Sequence, residues 1–230
     1  MKSKDSMLIL QCSDHKQELE EIASIKAQSK LYEFDIKVKK PRTARAMRYA
    51  LRTKEKYDFI YISAHGDASG FNNQDKSFKM SWLDFAYEIC VTECLEDNGI
   101  LLLSCCRGGL NEIAYDMFWG CPLISYICGP RQELESLESI IGFNILLFNI
   151  TYRNLDPIVA CERIKLGSQI RFKCFDRLET IGEPAYIMRT EFYESEEAKD
   201  EPKLLSNATL KELKSIKEEV ELEIKKRRNN

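Results

Sequence analysis

The chain has only two histidines in 230 residues, His15 and His65, which leaves no imidazole cluster for a metal and makes each histidine conspicuous. It also lacks long apolar runs. Residues 7–10 are too few for a signal-peptide core and 140–150 too few to cross a bilayer, so a soluble, cytoplasmic protein with no membrane contact is expected. Neither charge dominates: 34 basic against 37 acidic residues give a net charge of -3 and a pI near 5.7. Without a basic field, nucleic acid is not expected as a partner. The segment "CSDHKQ" after the first apolar run contains no glycine, which excludes a phosphate-cradling loop and argues against a dinucleotide fold. No internal repeat and no low-complexity tract is present.

Cysteine is plentiful but unpatterned. Nine of them, an odd number without regular spacing or secretory context, fit reduced thiols better than a disulfide framework. Cys90 and Cys94 could share one side of a helix, yet no second ligand pair matches them, so no metal and no cofactor are expected. Neither Cys105 nor Cys106 is followed by arginine six positions on, which excludes a phosphatase loop.

With 44% hydrophobic and 31% charged residues the chain can bury one substantial core. Apolar runs alternate with helical patterns along it. "MLILQC" reads as a first strand, followed by a helix with Leu19, Ile22 and Ala23 at helical spacing and Ser13 or Asp14 as N-cap. "LYEFDIKV" reads as a second strand, and Ala44, Met47 and Leu51 as a helical stripe leading into "YDFIYISAHG", a third strand ending at His65-Gly66. Residues 69–76 read as a polar loop, "FKMSW" as a short extended piece, and 82–94 as a helix closed by "EDNG". Next come the strand of "GILLLSCCRGG", a helix carrying Leu110, Ile113, Ala114, Met117 and Phe118, the strand "CPLISYIC", helices over 133–150 and 156–172, and an edge strand in "PAYIMRTEFYE". Such alternation predicts an α/β fold, a mostly parallel sheet with helices on both faces. Residues 195–206 form a charged linker, and 207–230 an amphipathic helix opened by a capping box at Thr209. Its stripe, Leu210, Leu213, Ile216 and Val220, is expected to dock on the parent domain, a second copy or a regulatory protein.

The chemistry-bearing residues end two apolar strands. His65 precedes a glycine, and Cys106 stands at the matching place 41 residues later, with glycine two positions on. Adjacent parallel strands would bring an imidazole and a thiol to one sheet edge, where ligands collect in open α/β sheets. A free thiol, with a pKa of about 8.5, is only a few per cent ionised at neutral pH and needs such a base. Gly66 would let the backbone approach a substrate closely and offer an N–H to an oxyanion. Either residue alone is more often structural, since buried cysteine is usually a small hydrophobe. The pair is more specific. His15 reads as a solvated helix-start residue.

"FIYISAHGD" and "ILLLSCCRGG" resemble the two signature blocks of caspase-like (clan CD) cysteine peptidases, and Cys106-Arg107-Gly108 is similar to their Cys-Arg-Gly. The continuation "GGLNEIAYDMFWGCPLISYICGP" resembles the bacterial CHAT branch. The resemblance covers roughly residues 7–193 and implies a caspase-like, Rossmann-type domain over 1–194. It further implies His65 as acid/base, Cys106 as nucleophile and the backbone N–H groups of Gly66 and Cys106 as oxyanion hole, with Asp67 and Arg107 as candidate substrate contacts. Ser104 stands where the caspase signature has glutamine, so an aspartate preference is not implied. The expected function is a cysteine endopeptidase acting on a protein or peptide substrate, under control of a partner or effector rather than by cleavage of residues 107–122. Two alternatives stay open, a catalytically inactive caspase-like adaptor and a cysteine acyltransferase or other thiol hydrolase.

Overall fold

The computed structural model describes residues 5–73 and 75–181. The expected edge strand in "PAYIMRTEFYE", the charged linker and the C-terminal helix lie outside the described residues. In chain order the elements are β1 (Ser6–Gln11), α1 (Lys16–Leu31), β2 (Asp35–Lys39), α2 (Ala44–Leu51), β3 (Tyr57–Ser63), β4 (His65–Asp67), β5 (Gly70–Asn72), β6 (Lys79–Ser81), α3 (Trp82–Thr92) and β7 (Leu95–Ser104). They continue with α4 (Asn111–Gly120), β8 (Ile124–Pro130), α5 (Ser136–Leu147), a π-helical turn (Phe148–Tyr152), α6 (Pro157–Ser168) and β9 (Phe172–Asp176).

Six strands form the central sheet in the order β2-β1-β3-β7-β8-β9, parallel except for the antiparallel β8–β9 pair. The alternation of side chains explains why β1 is apolar over Met7, Leu8, Ile9 and Leu10. Leu8 and Leu10 join the core under α2, α3 and α4, whereas Met7 and Ile9 join the core under α1, α5 and α6. β3 and β7 behave alike, Ile60, Ile62, Leu101 and Leu103 facing one way and Phe59, Tyr61, Ile100 and Leu102 the other. Helices therefore cover both faces, as the α/β expectation required.

Several local expectations are corrected. The N-cap of α1 is His15, whose side chain makes no capping bond, while Ser13 Oγ accepts from the His15 N–H at 3.0 Å. On that helix Ala23 is exposed, and the buried face is Glu21, Ile22, Ile25 and Ser29. Residues 31–34 of the expected second strand finish α1 and its turn, where Glu33 adopts a left-handed φ of 60°. The 69–76 loop contains β5, and "EDNG" lies within β7 instead of a free turn. Helix α6 stops at Ser168 and frees Phe172 to start β9, a strand the sequence pattern did not reveal. Arg177, just beyond β9, is buried and donates to the Phe118 and Cys121 carbonyls at 2.9 and 2.8 Å, tying the edge strand to the end of α4.

The third strand also ends earlier than expected. Ladder pairing stops at Ser63↔Ser104 with one further bond, Ala64 N–H to Ser104 carbonyl at 3.2 Å. His65 then begins a separate three-stranded antiparallel sheet, β4-β5-β6. Aromatic packing anchors this small sheet, with Phe71 against Phe78, Trp82 and Phe85 at centroid distances of 5.8, 5.2 and 5.2 Å. Trp82 Nε1 also donates to the Asp67 carbonyl at 2.8 Å.

Candidate functional site

Because Ser63 pairs with Ser104, residues two positions beyond each leave the sheet at the same level of its carboxyl edge. His65 and Cys106 are those residues, and both line one cavity of about 90 Å³ with Glu18, Glu21, Ser104 and Ser139 among its walls. Cys106 is half-buried, and the other eight cysteines are all buried. Burial pushes the adjacent Cys105 thiol well up, away from ionisation at neutral pH. Of the two neighbouring thiols, only that of Cys106 is open to a reactant.

Close backbone approach shapes this edge. A Cβ on Gly66 would stand 2.9 Å from Cys105 Cβ and 3.0 Å from its Sγ, so glycine lets the His65 and Cys106 loops meet. One on Gly109 would stand 2.3 Å from the Gly129 carbonyl oxygen, which is how the loop after Cys106 lies against the end of β8. Within that loop Arg107 has a left-handed φ of 61°, and its N–H donates to the Gln132 carbonyl at 3.1 Å.

Helix α1 supplies what sequence reasoning missed. Glu18 Oε1 lies 3.4 Å from His65 Nε2, an ion pair when the imidazole is protonated. Burial raises the Glu18 carboxyl, partly offset by Ser13 and by the His65 charge, and its Oε2 is buried without a hydrogen bond. One turn deeper, Glu21 is buried and accepts from the Tyr61 hydroxyl at 2.6 Å. Burial pushes its carboxyl up to about 7, although the Tyr61, Ser104 and Ser63 hydroxyls favour the charged form. Neither serine hydroxyl closes a hydrogen bond of standard geometry. Spacing of three along a helix sets Glu18 and Glu21 on one face, but only knowing that α1 crosses behind β3 would have connected them with His65.

The turn before α1 is braced so that these carboxylates point at the sheet edge. Arg42 donates to the Gln11 carbonyl at 2.7 Å and pairs with Asp14 at 2.5 Å, and Gln11 Nε2 donates to the Ser13 carbonyl at 2.9 Å. His15, expected to be solvated, is instead half-buried and lines the cavity beside Glu18. Asp67 and Arg107 do not line it. The Asp67 carboxylate accepts from the Ser69 N–H and hydroxyl at 2.7 and 2.6 Å, which holds it below the usual carboxylate range, and Arg107 pairs with exposed Glu133 at 2.9 Å.

Comparison with known proteins finds solved structures of similar fold. The secreted C11 cysteine protease "iotapain" of Bacteroides thetaiotaomicron superposes with a TM-score of 0.59 over 83% of this chain and 71% of that chain, at 12% sequence identity. The two share the caspase-like α/β fold. No family model and no curated protein matches the sequence. No helix among the described residues is long and apolar enough to cross a membrane.

Proposed function

We propose that this chain is a cysteine endopeptidase in which Cys106 is the nucleophile and His65 the general acid/base. The observation that carries the reading is that the single half-buried thiol and His65, leaving adjacent parallel strands at one level, line the same cavity. The thiolate adds to a peptide carbonyl, and the developing oxyanion is met by the Gly66 and Cys106 N–H groups. His65 passes the thiol proton to the leaving amine, after which water, deprotonated by the same imidazole, releases the acyl group and restores the thiol.

Glu18 acts through His65 as a positioning residue. Its carboxylate favours the imidazolium that accompanies the Cys106 thiolate, by about 1 kcal/mol for a solvent-screened pair at this distance. Glu18→Gln is therefore expected to lower kcat/KM about fivefold, chiefly through kcat. The raised Glu18 carboxyl further predicts an acid limb above the ordinary carboxylate range, which the variant should lose. An unchanged pH profile would remove Glu18 from the mechanism.

Two carboxyl groups in the cavity wall disfavour an acidic side chain there, and Ser104 offers no charge to balance one. Cleavage after neutral or basic residues fits the lining. Control by a binding effector fits the segment after the nucleophile, where Ile113, Ala114, Met117 and Phe118 of α4 are buried and a cut would break the core. Digestion of a peptide library tests the function directly. Discrete cut sites, absent with Cys106→Ala, are expected; no cleavage of peptides or proteins with any added effector would leave the adaptor reading.

A further inference from the structure

Outside the cavity, three cysteines from three separate elements converge. Cys128 of β8 and Cys174 of β9 are directly opposite in the antiparallel ladder, and Cys161 reaches them from α6. Arg131 N–H bonds the Arg171 carbonyl at 2.8 Å, and the alternation counted back from there makes Cys128–Cys174 a non-hydrogen-bonded pair, the kind whose side chains approach most closely. Their sulfurs are 3.1 Å apart, and all three lie within 4.8 Å of one another. The residues are 0%, 3% and 7% exposed and share an apolar cluster with Leu146, Leu147, Ala160 and Ile164.

We propose that Cys128, Cys161 and Cys174 form a buried three-thiolate site for one thiophilic d10 metal ion, zinc(II) or copper(I). A cysteine serving only as a small hydrophobe has no need to aim its sulfur at two others, and a disulfide would use two and strand the third. A metal uses all three. Metal–sulfur bonds of about 2.3 Å require sulfurs about 3.8–4.0 Å apart, so small rotations that part the close pair and draw the third inward complete the site. Three thiolates in an apolar pocket are unfavourable without a cation, and binding releases their protons to solvent. Copper(I) is satisfied by three sulfurs, whereas zinc(II) would add a water as fourth ligand. Among the described residues β9 is the edge strand, and the slight exposure of Cys174 there gives a route of access.

Loading would pin α6 and β9 to β8, whose carboxyl end leads into the segment bearing Gln132 and Leu134 beside the cavity. The site stands independently of the peptidase reading. The test uses reduced full chain carrying Cys106→Ser, so that the exposed thiol does not compete, titrated anaerobically with zinc(II) or copper(I) against a competing chelator. One ion per chain by native mass spectrometry, a higher melting temperature, and protection of these three cysteines from alkylation after denaturation in the presence of metal are expected for one of the two ions. Cys161→Val, which keeps the volume and removes the sulfur, should weaken binding more than tenfold, as should Cys174→Ser if the first variant does not fold. Cys90→Ser should leave binding unchanged. Failure of both ions to bind, equal binding by the Cys161 and Cys174 variants, or a Cys128–Cys174 disulfide in protein purified under reductant would overturn the proposal.

Discussion

Cys106→Ala is expected to lower kcat/KM for peptide hydrolysis by about 10⁴-fold or more while leaving the melting temperature nearly unchanged, because removing the nucleophile of a coupled pair removes the covalent route altogether. Little stability is lost because Cys106 is half-buried, at the mouth of the cavity instead of in the core. Cys105→Ala is the informative partner. That thiol is buried, raised by desolvation and wedged against Gly66, so its loss should cost some packing and spare turnover. Steady-state kinetics on both variants, with circular dichroism as a check on folding, distinguishes the neighbours. Turnover that survives in Cys106→Ala and vanishes in Cys105→Ala would reverse the assignment.

Glu21→Gln is expected to stabilise the protein at pH 8 by up to about 3 kcal/mol and to have little effect near pH 4. The folded protein holds the Glu21 proton up to about pH 7, whereas an unfolded chain releases it near 4.5. Between those values the folded state binds more protons, so wild-type stability falls as pH rises through this window and stays lower above it. Glutamine retains an oxygen for the Tyr61 hydroxyl and has no charge to desolvate. Urea melts of the two proteins at pH 4, 6 and 8 should converge at the acid end and separate at the alkaline end. Parallel pH profiles would mean that the native environment does not raise the Glu21 carboxyl above its unfolded value.

The elements that the sequence announces most clearly are those with a single environment along their whole length. β1, β3 and residues 99–104 of β7 are apolar because both faces are covered, and α2 shows its stripe because Met47, Ala50 and Leu51 pack on one side only. Boundaries and short strands are harder to read. β9 carries Lys173 and Asp176 and, among the described residues, pairs only on one side, so neither alternation nor continuous hydrophobicity marks it. β5 is three residues whose strand character comes from Phe71 packing on an aromatic cluster distant in sequence. The level of His65 with Cys106 was legible from the two strand ends. Glu18 and Glu21 were not, since their proximity to the sheet edge depends on how α1 crosses it, and the three-sulfur cluster joins residues 33 and 13 positions apart that fit no ligand spacing.

Covalent labelling by a peptidyl electrophile tests the central claim most directly. The chain is incubated briefly with a peptidyl acyloxymethyl ketone whose sequence is taken from an observed cut site, then digested and mapped by mass spectrometry. The account predicts one adduct per chain, on Cys106, with the eight buried cysteines untouched and labelling strongly slowed in His65→Ala. An adduct on Cys105 or another cysteine, or labelling of Cys106 at the same rate with and without His65, would contradict it.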